Sequence, residues 1–541
     1  MVPRGHVVLR KWPRLLRSSQ RGEAVLQERS KEQAVFVVQD SGAGHSSQLR
    51  EWLTRGWSAC RAEWHWLCLF PLGLASQFLY LRFFLKPFPL LSLYDVPLLD
   101  LGKVTHYSRA AGREFAVVFL LLFALSYVAY LLCRRRSSSM ALLVVLLFAF
   151  LCGLTLLLVY PITAADVFEY IAYARIMTHH SANPHVFRPA DFYDDPLMWY
   201  SAWPHITSPY GPLWTYVSGV IGRLSGSSLL TYLLLFKGLA LAVHLLNSGL
   251  IYATLARWRP SYALGGTALY AWNPLVLYES AAGGHNDGLV VFFVLLGVYL
   301  YARGRFALAV PVAALSCMIK MPMAVVVPLF VIGGWRALSG KKNRVRVMAS
   351  SVLLAVAVVV LLHVPLWEGL DSLGWLARED LFTSSFAAVA VLALGQYVKD
   401  AETLRGLVRY AAFVLFGLFY FWQLARVRGD TRHFVERLYW TVFGLIVIAI
   451  LWFQPWYVVW LVALGAVVPS LAIGSLTTLF SYTATWNYMV FTFLLAWYFP
   501  LMSPDHALVG NLVSVLLIFG APIVYAICLL WRGRSLEPSE G

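Results

Sequence analysis

The sequence predicts an all-α polytopic membrane protein with about 12–14 membrane helices. Two observations support this class. First, the 541 residues are 60% hydrophobic and 13% charged, whereas an ordinary soluble domain is roughly 25% charged, and the mean hydropathy is +0.67. Second, uncharged apolar windows of about 20 residues recur along the chain, and each is long enough to cross a bilayer as a helix. An ordinary soluble domain is therefore excluded.

The formal net charge of +16 at pH 7 fits a membrane protein better than a nucleic-acid-binding one. The basic residues cluster at the ends of apolar segments and do not form one groove-sized patch, as the positive-inside rule predicts for cytoplasmic loops. We therefore expect contact with the lipid bilayer and its anionic headgroups, and no nucleic-acid partner. The six cysteines show no paired spacing, which argues against a disulfide framework or a zinc site.

The composition divides the chain into a tail and a membrane domain. Residues 1–62 are rich in Arg, Lys, Ser, Gln and Gly and hold one brief apolar run, Ala34 to Val38, so they predict a basic, disordered cytoplasmic tail. No apolar core with a cleavage site lies near the start, which argues against a signal peptide. Residues 63–535 form the predicted transmembrane domain and residues 536–541 a short cytoplasmic tail. The cell (plasma) membrane is the expected location.

Apolar windows predict about a dozen spans. The region from Phe306 to Gly334 is too long for one helix and contains Pro311, Pro322 and Pro328, which favours a hairpin of two short helices. The predicted spans are Trp64–Leu85, Phe115–Cys133, Met140–Tyr160, Ser228–Leu255, Ala263–Ser280, Leu289–Tyr301, Val352–Val364, Leu407–Leu424, Tyr439–Phe453, Tyr457–Ile473, Tyr482–Tyr498 and Leu512–Leu530.

The basic clusters also predict the orientation of the spans. All of them can lie in the cytoplasm at once, which places the loops 161–210, 283–288, 366–385 and 454–457 together on the opposite side. The segment Gly211 to Gly226 must then be a re-entrant or surface helix. The cytoplasmic clusters are Arg134–Arg136, Arg257 with Arg259, Arg303 with Arg305, Lys341–Arg346, Arg426–Arg437, and Arg532 with Arg534.

The outer loop, residues 161–211, is the predicted catalytic loop, because it interrupts the spans with polar, aromatic and acidic residues. Asp166 closely follows an apolar span and should sit just outside the hydrocarbon, where its carboxylate can meet a lipid-borne and a water-soluble substrate. Together with Glu169, Tyr170 and Tyr173 it would share one face of an amphipathic helix lying along the interface. The structural alternative is a capping box at the start of this helix, with an acidic first turn that complements the helix dipole.

Aromatic and polar residues fill the rest of the outer loop and predict a compact surface that suits sugar rings. The alternative, for the tryptophans and tyrosines taken singly, is the aromatic belt of any membrane protein. The residues concerned are Asn183-Pro-His185, Arg188, Trp203, His205 and the run Ser208-Pro-Tyr-Gly-Pro-Leu-Trp214.

A second polar junction, Gly283-Gly-His-Asn-Asp-Gly288, lies between two apolar spans. Its two leading glycines permit a sharp turn, after which His285, Asn286 and Asp287 enter the next helix as a polar cluster. The alternative is that Asn286 or Asp287 simply caps that helix. A His beside an Asp can bind a divalent cation, but one such pair lacks the ligand number of a metal site, so neither a metal nor a cofactor is assigned.

Lys320 is a cation inside the apolar run Cys317–Met323, where a lysine costs about 2.5 to 3.5 kcal/mol on insertion scales. A buried lysine needs an anion, and the turn of the predicted hairpin would bring it to the outer side. The anion is either a lipid phosphate or a structural partner such as Asp287. The run Gln454-Pro-Trp-Tyr457 adds a polar, kinked junction on the same side, or only a helix break.

In this order the motifs resemble the polyprenol-phosphate-mannose-dependent mannosyltransferases of the GT-C fold, the group that includes the actinobacterial alpha-1,6-mannosyltransferases. The resemblance covers roughly residues 140–500 and rests on six motifs, each weak alone. It implies a GT-C type glycosyltransferase fold with a large extracytoplasmic loop, in which Asp166 is the catalytic base and Glu169 the neighbouring candidate. The motifs are Asp166, Asn183-Pro184, Pro209–Leu213, Gly284–Asp287, Ile319-Lys-x-Pro322 and Gln454–Tyr457.

The resemblance further implies transfer of a hexose, with mannose favoured, from a polyprenyl-phosphate sugar to an extracytoplasmic glycan or lipid-linked acceptor. A single displacement would invert the anomeric centre while Asp166 takes the proton of the attacking hydroxyl. The candidates for binding the donor phosphate are Lys320, Arg175 and Arg188. The candidates for binding sugar or acceptor are Tyr170, His185, Trp203, His205, Tyr210, His285, Asn286, Asp287, Gln454, Trp456 and Tyr457.

Two other classes stay open. A transporter or flippase of a lipid-linked sugar would also contain an intramembrane lysine and broken helices. Against it, the chain shows no second copy of the Lys320 hairpin or of the acidic loop, and its polar residues gather on one predicted face. A protein that binds glycan without turning it over would share the sequence features of the enzyme.

Overall fold

The computed structural model describes residues 65–376, 381–398, 400–498 and 504–532. These residues form helices joined by turns and short loops, and the prediction of an all-α polytopic membrane protein is confirmed. Both expected cytoplasmic tails lie outside the described residues.

Seven described helices are long and apolar enough to cross a membrane, and each coincides with a span that the sequence predicts. They are Trp66–Leu85, Arg109–Cys133, Ser139–Leu157, Leu229–Trp258, Lys341–Leu366, Ala401–Arg426 and His506–Trp531. Four shorter apolar helices accompany them, namely Asp287–Ala302, Phe306–Cys317, Met321–Ala337 and Pro455–Ala466.

Shorter helices and irregular turns fill the space between these elements. The further α-helices are Leu90–Leu93, Leu101–Thr105, Asp166–Thr178, Pro212–Ser225, Pro260–Ala271, Pro274–Leu277, Phe386–Leu394, Thr431–Gly444, Leu471–Ala484, Trp486–Tyr488 and Leu495–Tyr498. Wide π-turns occur at Leu81–Leu85, Tyr278–Ala282, Leu445–Ala449 and Met489–Leu494. Tight 3₁₀ turns occur at Pro189–Phe192, Pro196–Tyr200, Met321–Val325, Val364–Leu366, Leu370–Leu376 and Pro455–Tyr457.

The predicted span Ala263–Ser280 is not one helix. It breaks at Asn273, whose side chain caps a new helix by accepting hydrogen bonds from the amides of Leu275 and Val276 at 3.1 and 3.2 Å. Pro274 occupies the first position of that helix, where a missing N–H leaves no hydrogen bond unmade. Local capping therefore overrides the apolar character that predicted a continuous span.

The predicted span Tyr457–Ile473 is likewise divided, into the helices Val458–Ala466 and Leu471–Ala484. Pro469 cannot extend the first helix because its ring would clash with the carbonyl four residues earlier. Ser470 then caps the second helix through its hydroxyl oxygen, which accepts from the Ile473 amide at 3.4 Å. A window of hydropathy spans both pieces and cannot detect this turn.

The predicted hairpin is present as the broken hairpin, Phe306–Ala337, which has a helix on each side of a break at Met318–Lys320. Pro311 lies inside the first helix and does not end it. Pro322 lies in the 3₁₀ turn that follows the break. The break places Lys320, in extended conformation, directly before that turn.

The outer loop contains the helix Asp166–Thr178, called here the outer-loop helix, but it is not the amphipathic surface helix that we expected. Residues 167–176 are all buried, because the helix packs against Pro212–Ser225 on one side and Leu229–Trp258 on another. The capping-box alternative is also wrong, since Ala165 precedes the helix without a side-chain cap. The outer-loop helix is therefore part of the core, with its amino end at the site.

One close backbone contact joins the outer loop to the broken hairpin. The Gly211 amide donates to the Ile319 carbonyl and the Leu213 amide to the Met318 carbonyl, both at 3.0 Å. A Cβ atom at position 211 would lie 2.4 Å from the Met318 carbonyl oxygen. The contact therefore requires glycine, and it holds Tyr210 beside Lys320, whose Nζ lies 5.9 Å from the tyrosine ring centre.

We expect Gly211→Ala to destabilise the protein by about 1–3 kcal/mol, because the added methyl group must push two main-chain segments apart. Gly417→Ala is the matched control, since a Cβ there meets no atom within 4 Å and alanine favours a helix by up to about 1 kcal/mol. Thermal unfolding in detergent should show a lower midpoint for Gly211→Ala alone. Equal midpoints for both variants would contradict the close contact.

Candidate active site

The carboxylate at the start of the outer-loop helix lies at the centre of the site. The Asp166 side chain is 17% exposed, and its Oδ1 accepts a hydrogen bond from the Tyr210 hydroxyl at 2.9 Å. Its Oδ2 lies 3.7 Å from Nε2 of His285. The outer loop and the turn after Gly284 therefore meet at one partly accessible carboxylate.

The His285 ring is held between two carboxylates. Its Nδ1 lies 3.1 Å from Oε2 of Glu279, and both side chains are 1% exposed. The ring stacks on Trp456 with their centres 4.3 Å apart. The hydroxyl of Tyr488 donates a hydrogen bond to Oε1 of Glu279. The imidazole thus lies between two acids and against an aromatic face, and its Nδ1 also lies 3.2 Å from the main-chain carbonyl oxygen of Glu279.

A second buried ion pair adjoins the first. Lys320 Nζ lies 2.7 Å from Asp287 Oδ2, and the Trp460 indole N–H donates to the other carboxylate oxygen at 2.7 Å. The lysine also lies over the rings of Tyr210 and Tyr457, 5.9 and 5.6 Å from their centres. The structural partner that the sequence offered for Lys320 is therefore in place.

The neighbours of Asp166 and His285 set their charges. Burial alone would raise the pKa of Asp166, but His285, Lys320 and Tyr210 outweigh it and lower that pKa below its ordinary value. Burial likewise disfavours a charged imidazole, but the two carboxylates beside it, Asp166 and Glu279, outweigh burial and raise the pKa of His285 to about 10. At neutral pH the two residues are a carboxylate and an imidazolium.

An aromatic cage and one unpaired amide complete the inner wall. The Tyr170 ring lies 5.0 Å from Tyr210 and 4.9 Å from Trp214, between ring centres, and its hydroxyl accepts from the Asn286 amide at 3.5 Å. The Asn286 side-chain amide is buried and finds no hydrogen-bond partner within the described part of the chain. Such a group is available to a polar ligand. It does not cap the helix that it precedes.

A row of indole rings leads from the surface to His285. Trp203 is 42% exposed, and its ring centre lies 6.4 Å from that of Trp452. Trp452 in turn lies 6.2 Å from Trp456, which stacks on His285. Neighbouring tryptophans in the row meet edge to face. The row forms an aromatic wall with one end open to solvent.

Glu169 does not join this cluster. Its carboxylate accepts hydrogen bonds from the Ser201 hydroxyl at 2.8 Å and from the Ala202 and Trp203 amides at 2.6 and 3.0 Å. Burial, partly offset by these bonds, raises the pKa of Glu169 to about 7. These bonds hold the later part of the outer loop, Ser201–Trp203, against the outer-loop helix.

The two predicted phosphate-binding arginines are engaged within the outer loop and are not brought to Asp166. The Arg175 guanidinium is buried against Asp195, with Nε 2.5 Å from Oδ2, and also donates to the Gly226 carbonyl. Arg188 is exposed and paired with Asp191 at 2.9 Å. In this structure both arginines stabilise the loop.

Three other predicted ligand-binding residues make no hydrogen bond or ion pair with this cluster within the described part of the chain. His185 is buried, with Nε2 2.8 Å from the Thr215 hydroxyl oxygen, and burial lowers its pKa to about 4. His205 is exposed. Gln454 is partly buried and precedes the turn at Pro455.

Several residues of the site were missed by the sequence analysis. Glu279 lies at the end of a predicted span, where a lone acid is itself a signal of function. Trp452, Trp460 and Tyr488 carried no such signal, because folding alone brings their rings and polar tips to the site. Their partners come from helices far away in the chain.

One further cluster has the composition of a metal site. His179, His180 and Asp195 place possible ligand atoms within 4.8 Å of one another, the one such group of three found among the described residues. The Arg175 guanidinium already neutralises Asp195, and its charge would oppose a metal cation. The cluster therefore fits a metal poorly.

Comparison with known proteins finds a family model that matches the part of the chain containing most of these residues. The family model described as alpha-(1->6)-mannopyranosyltransferase, N-terminal domain, matches residues 93–336. That stretch includes Asp166, Tyr210, Glu279, His285 and Lys320, whereas the aromatic wall extends beyond it. No solved structure gives a significant match.

Two curated relatives carry the name alpha-(1->6)-mannopyranosyltransferase A. The one from Mycobacterium tuberculosis (strain H37Rv) is 26% identical over 339 residues, 58% of this chain and 62% of the relative. The one from Corynebacterium glutamicum is 24% identical over 226 residues, 37% of this chain and 45% of the relative. The chain thus spans less than two thirds of the length of either relative. These comparisons confirm that the chain is similar to the actinobacterial alpha-(1->6)-mannosyltransferases.

Proposed function

We propose that the protein is a membrane glycosyltransferase that moves a hexose, with mannose favoured, from a polyprenyl-phosphate sugar to a glycan or lipid-linked acceptor outside the cytoplasm. One observation carries the proposal. Asp166 is a charged, partly accessible carboxylate at a break between apolar helices, oriented by Tyr210 and His285, within the stretch that matches the mannosyltransferase domain. The names of the relatives support mannose as the sugar.

Asp166 would act as the general base. The oxygen of the acceptor hydroxyl attacks the anomeric carbon while its proton passes to the Asp166 carboxylate. The bond between that carbon and the phosphate oxygen breaks, and the polyprenyl phosphate leaves with the electron pair. One displacement inverts the anomeric centre. The lowered pKa of Asp166 keeps the base ionised at neutral pH.

Lys320 would hold the donor phosphate while remaining paired with Asp287. An ammonium group has three N–H donors, and the contact with Asp287 uses one of them. The remaining donors can reach a phosphate oxygen and stabilise the negative charge that the leaving group gains. We propose Arg175 and Arg188 as supports of the outer loop that could approach the phosphate only if that loop rearranged.

The aromatic wall and the Asn286 amide would bind the sugars. The exposed face of Trp203 could receive the acceptor, and Trp456 would guide it toward Asp166. The unpaired amide of Asn286 can donate to and accept from sugar hydroxyls, which satisfies a buried group that otherwise costs free energy. His205, Gln454 and the other outer-loop residues would contribute to the entrance.

We expect Asp166→Asn to lower sugar transfer by about 10²–10⁴-fold, because the amide cannot take the proton of the acceptor. The assay follows radiolabelled sugar from polyprenyl-phosphate-mannose to a short alpha-mannoside, using purified protein. Asp400→Asn is the matched control, since Asp400 is an exposed helix cap and asparagine caps equally well. Donor binding should persist in both variants.

A wild-type rate for well-folded Asp166→Asn would rule out the base. No transfer by the wild-type protein with mannose, glucose or arabinose donors, together with saturable lipid binding, would favour the carrier or a protein that binds without turnover.

For the donor phosphate, we expect Lys320→Met alone to destabilise the protein by about 3–5 kcal/mol, since it leaves the Asp287 carboxylate buried and unpaired. The double variant Lys320→Met/Asp287→Asn should regain most of that stability. It should nevertheless bind sugar-free polyprenyl phosphate about 10–100-fold more weakly, the loss expected for one hydrogen bond to a charged group. Wild-type affinity in the stable double variant would make Lys320 purely structural.

For Glu169 we expect a structural effect that depends on pH. Burial raises its pKa to about 7 in the folded protein, so the folded state favours the protonated side chain. The stability gained from this protonation is fully present below about pH 4.5 and is lost as the pH rises through 7. Glu169→Gln cannot ionise, so its unfolding midpoint relative to wild type should rise from pH 5 to pH 8. Glu169→Ala should lose about 1–3 kcal/mol at any pH, because the loop amides lose their acceptor.

Transfer by Glu169→Gln should fall far less than transfer by Asp166→Asn. An equal loss in a stable Glu169→Gln protein would instead make Glu169 the base.

A further inference from the structure

We propose that Glu279 is a positioning residue of this site, which keeps the His285 imidazole charged and turned toward Asp166. The proposal rests on the proposed role of Asp166 as the reacting carboxylate. Glu279 itself touches neither Asp166 nor the open part of the site. It acts through the histidine that separates the two acids.

The three side chains form a short relay. Glu279 Oε2 lies 3.1 Å from Nδ1 of His285, and His285 Nε2 lies 3.7 Å from Oδ2 of Asp166. Glu279 and His285 are each 1% exposed, whereas Asp166 is 17% exposed. Only the Asp166 end of the relay is therefore open to a substrate, and the other end lies behind it in the core.

Several contacts hold Glu279 in place. It lies in the wide π-turn Tyr278–Ala282, a rare backbone form that is frequent at functional sites. Its Oε1 accepts from the Tyr488 hydroxyl, and its carbonyl accepts from the His285 amide at 3.0 Å. The Tyr488 hydroxyl thus holds one carboxylate oxygen, and the main-chain contact holds His285 close to the other, Oε2, which lies 3.1 Å from Nδ1.

The two glycines before His285 make this arrangement possible. A Cβ atom on Gly283 would lie 2.5 Å from the Nδ1 atom that faces Glu279. Gly284 has a φ of +71°, in the left-handed region that glycine tolerates best. The turn therefore brings the imidazole against Glu279 only because these two positions lack side chains.

The charges around the ring favour the imidazolium. Burial disfavours it, but Asp166 and Glu279 together outweigh that cost and raise the pKa of His285 to about 10. The Asp287–Lys320 pair nearby is neutral as a whole. The other titratable groups around the two acids and the ring include Glu169, Tyr170, Tyr173, Tyr210, Tyr278, Tyr488, and Lys237 behind Gly284, whose Nζ donates to the Val159 carbonyl.

If the His285 ring lost one proton, its attraction to the Asp166 carboxylate would become repulsion. A neutral ring that kept its proton on Nδ1, toward Glu279, would turn the lone pair of Nε2 toward the Asp166 carboxylate. Two electron-rich groups would then face each other, and Asp166 would lose its orientation. Glu279 prevents this by stabilising the doubly protonated ring.

The first test measures the charge of His285 directly, by nitrogen NMR of histidine-labelled protein, with the signal assigned from a His285→Gln sample. Wild type should show an imidazolium at pH 8. In Glu279→Gln the titration midpoint should fall by about 1–3 pH units, the usual effect of one adjacent opposite charge. Glu436→Gln is the control. It makes the same chemical change in a helix away from the site, where Glu436 pairs with Arg432, and it should leave the titration midpoint of His285 unchanged.

The second test is the pH dependence of kcat/KM for sugar transfer. In Glu279→Gln, the alkaline fall in activity should occur at a pH about 1–3 units lower than in wild type, because His285 loses its proton at a lower pH. Glu279→Asp keeps the charge and should restore most of the wild-type profile. A merely structural residue would lower the rate equally at every pH.

The two measurements separate the two proposals. If the wild-type protein transfers no sugar but the His285 titration midpoint shifts as expected, the proposed sugar transfer is wrong and the proposed effect of Glu279 on His285 is supported. A neutral His285 in wild type at pH 8 would overturn the relay, even if Glu279→Gln failed to fold. An unchanged midpoint in folded Glu279→Gln would overturn it as well.

Discussion

The rest of the site depends on five charged side chains that lie beside one another, of which Glu279, His285, Asp287 and Lys320 are buried and Asp166 is partly exposed. Each charge alone would be too costly to bury among apolar helices. Together they form contacts of opposite sign, 2.7 to 3.7 Å long. Removal of His285, Lys320 or Asp287 would leave an opposite charge beside it without its partner, which is costly at a buried site.

The backbone is irregular at three of these charges, whereas Asp166 and Asp287 each begin an α-helix. Glu279 lies in a π-turn, His285 follows a left-handed glycine, and Lys320 lies at the break of the broken hairpin. Regular helices would leave the polar groups on faces that point in different directions. Such breaks are tolerated at membrane depth only where protein or a cavity satisfies the freed backbone groups.

The two acids of the outer-loop helix show how burial separates two similar residues. Asp166 is accessible and faces cations, which lower its pKa. Glu169, one turn later, faces loop amides in the core, and burial raises its pKa to about 7. The first has the charge and exposure that suit a proposed base, and the second fastens the loop that covers the site. The two side chains carry the same chemical group, so their different surroundings on the helix account for the difference in their pKa.

The class of the fold, the seven long spans, the broken hairpin and the motifs that carry Asp166, His285, Asp287 and Lys320 could all be predicted from the sequence. These follow from composition, from apolar length and from polar residues that stand out in apolar surroundings, all of which are local properties. The tertiary structure sets which charges pair. It placed Glu279 behind His285, turned Glu169 into the loop and kept Arg175 and Arg188 away from the cluster, because a partner across the chain is set by helix packing and not by spacing in the sequence.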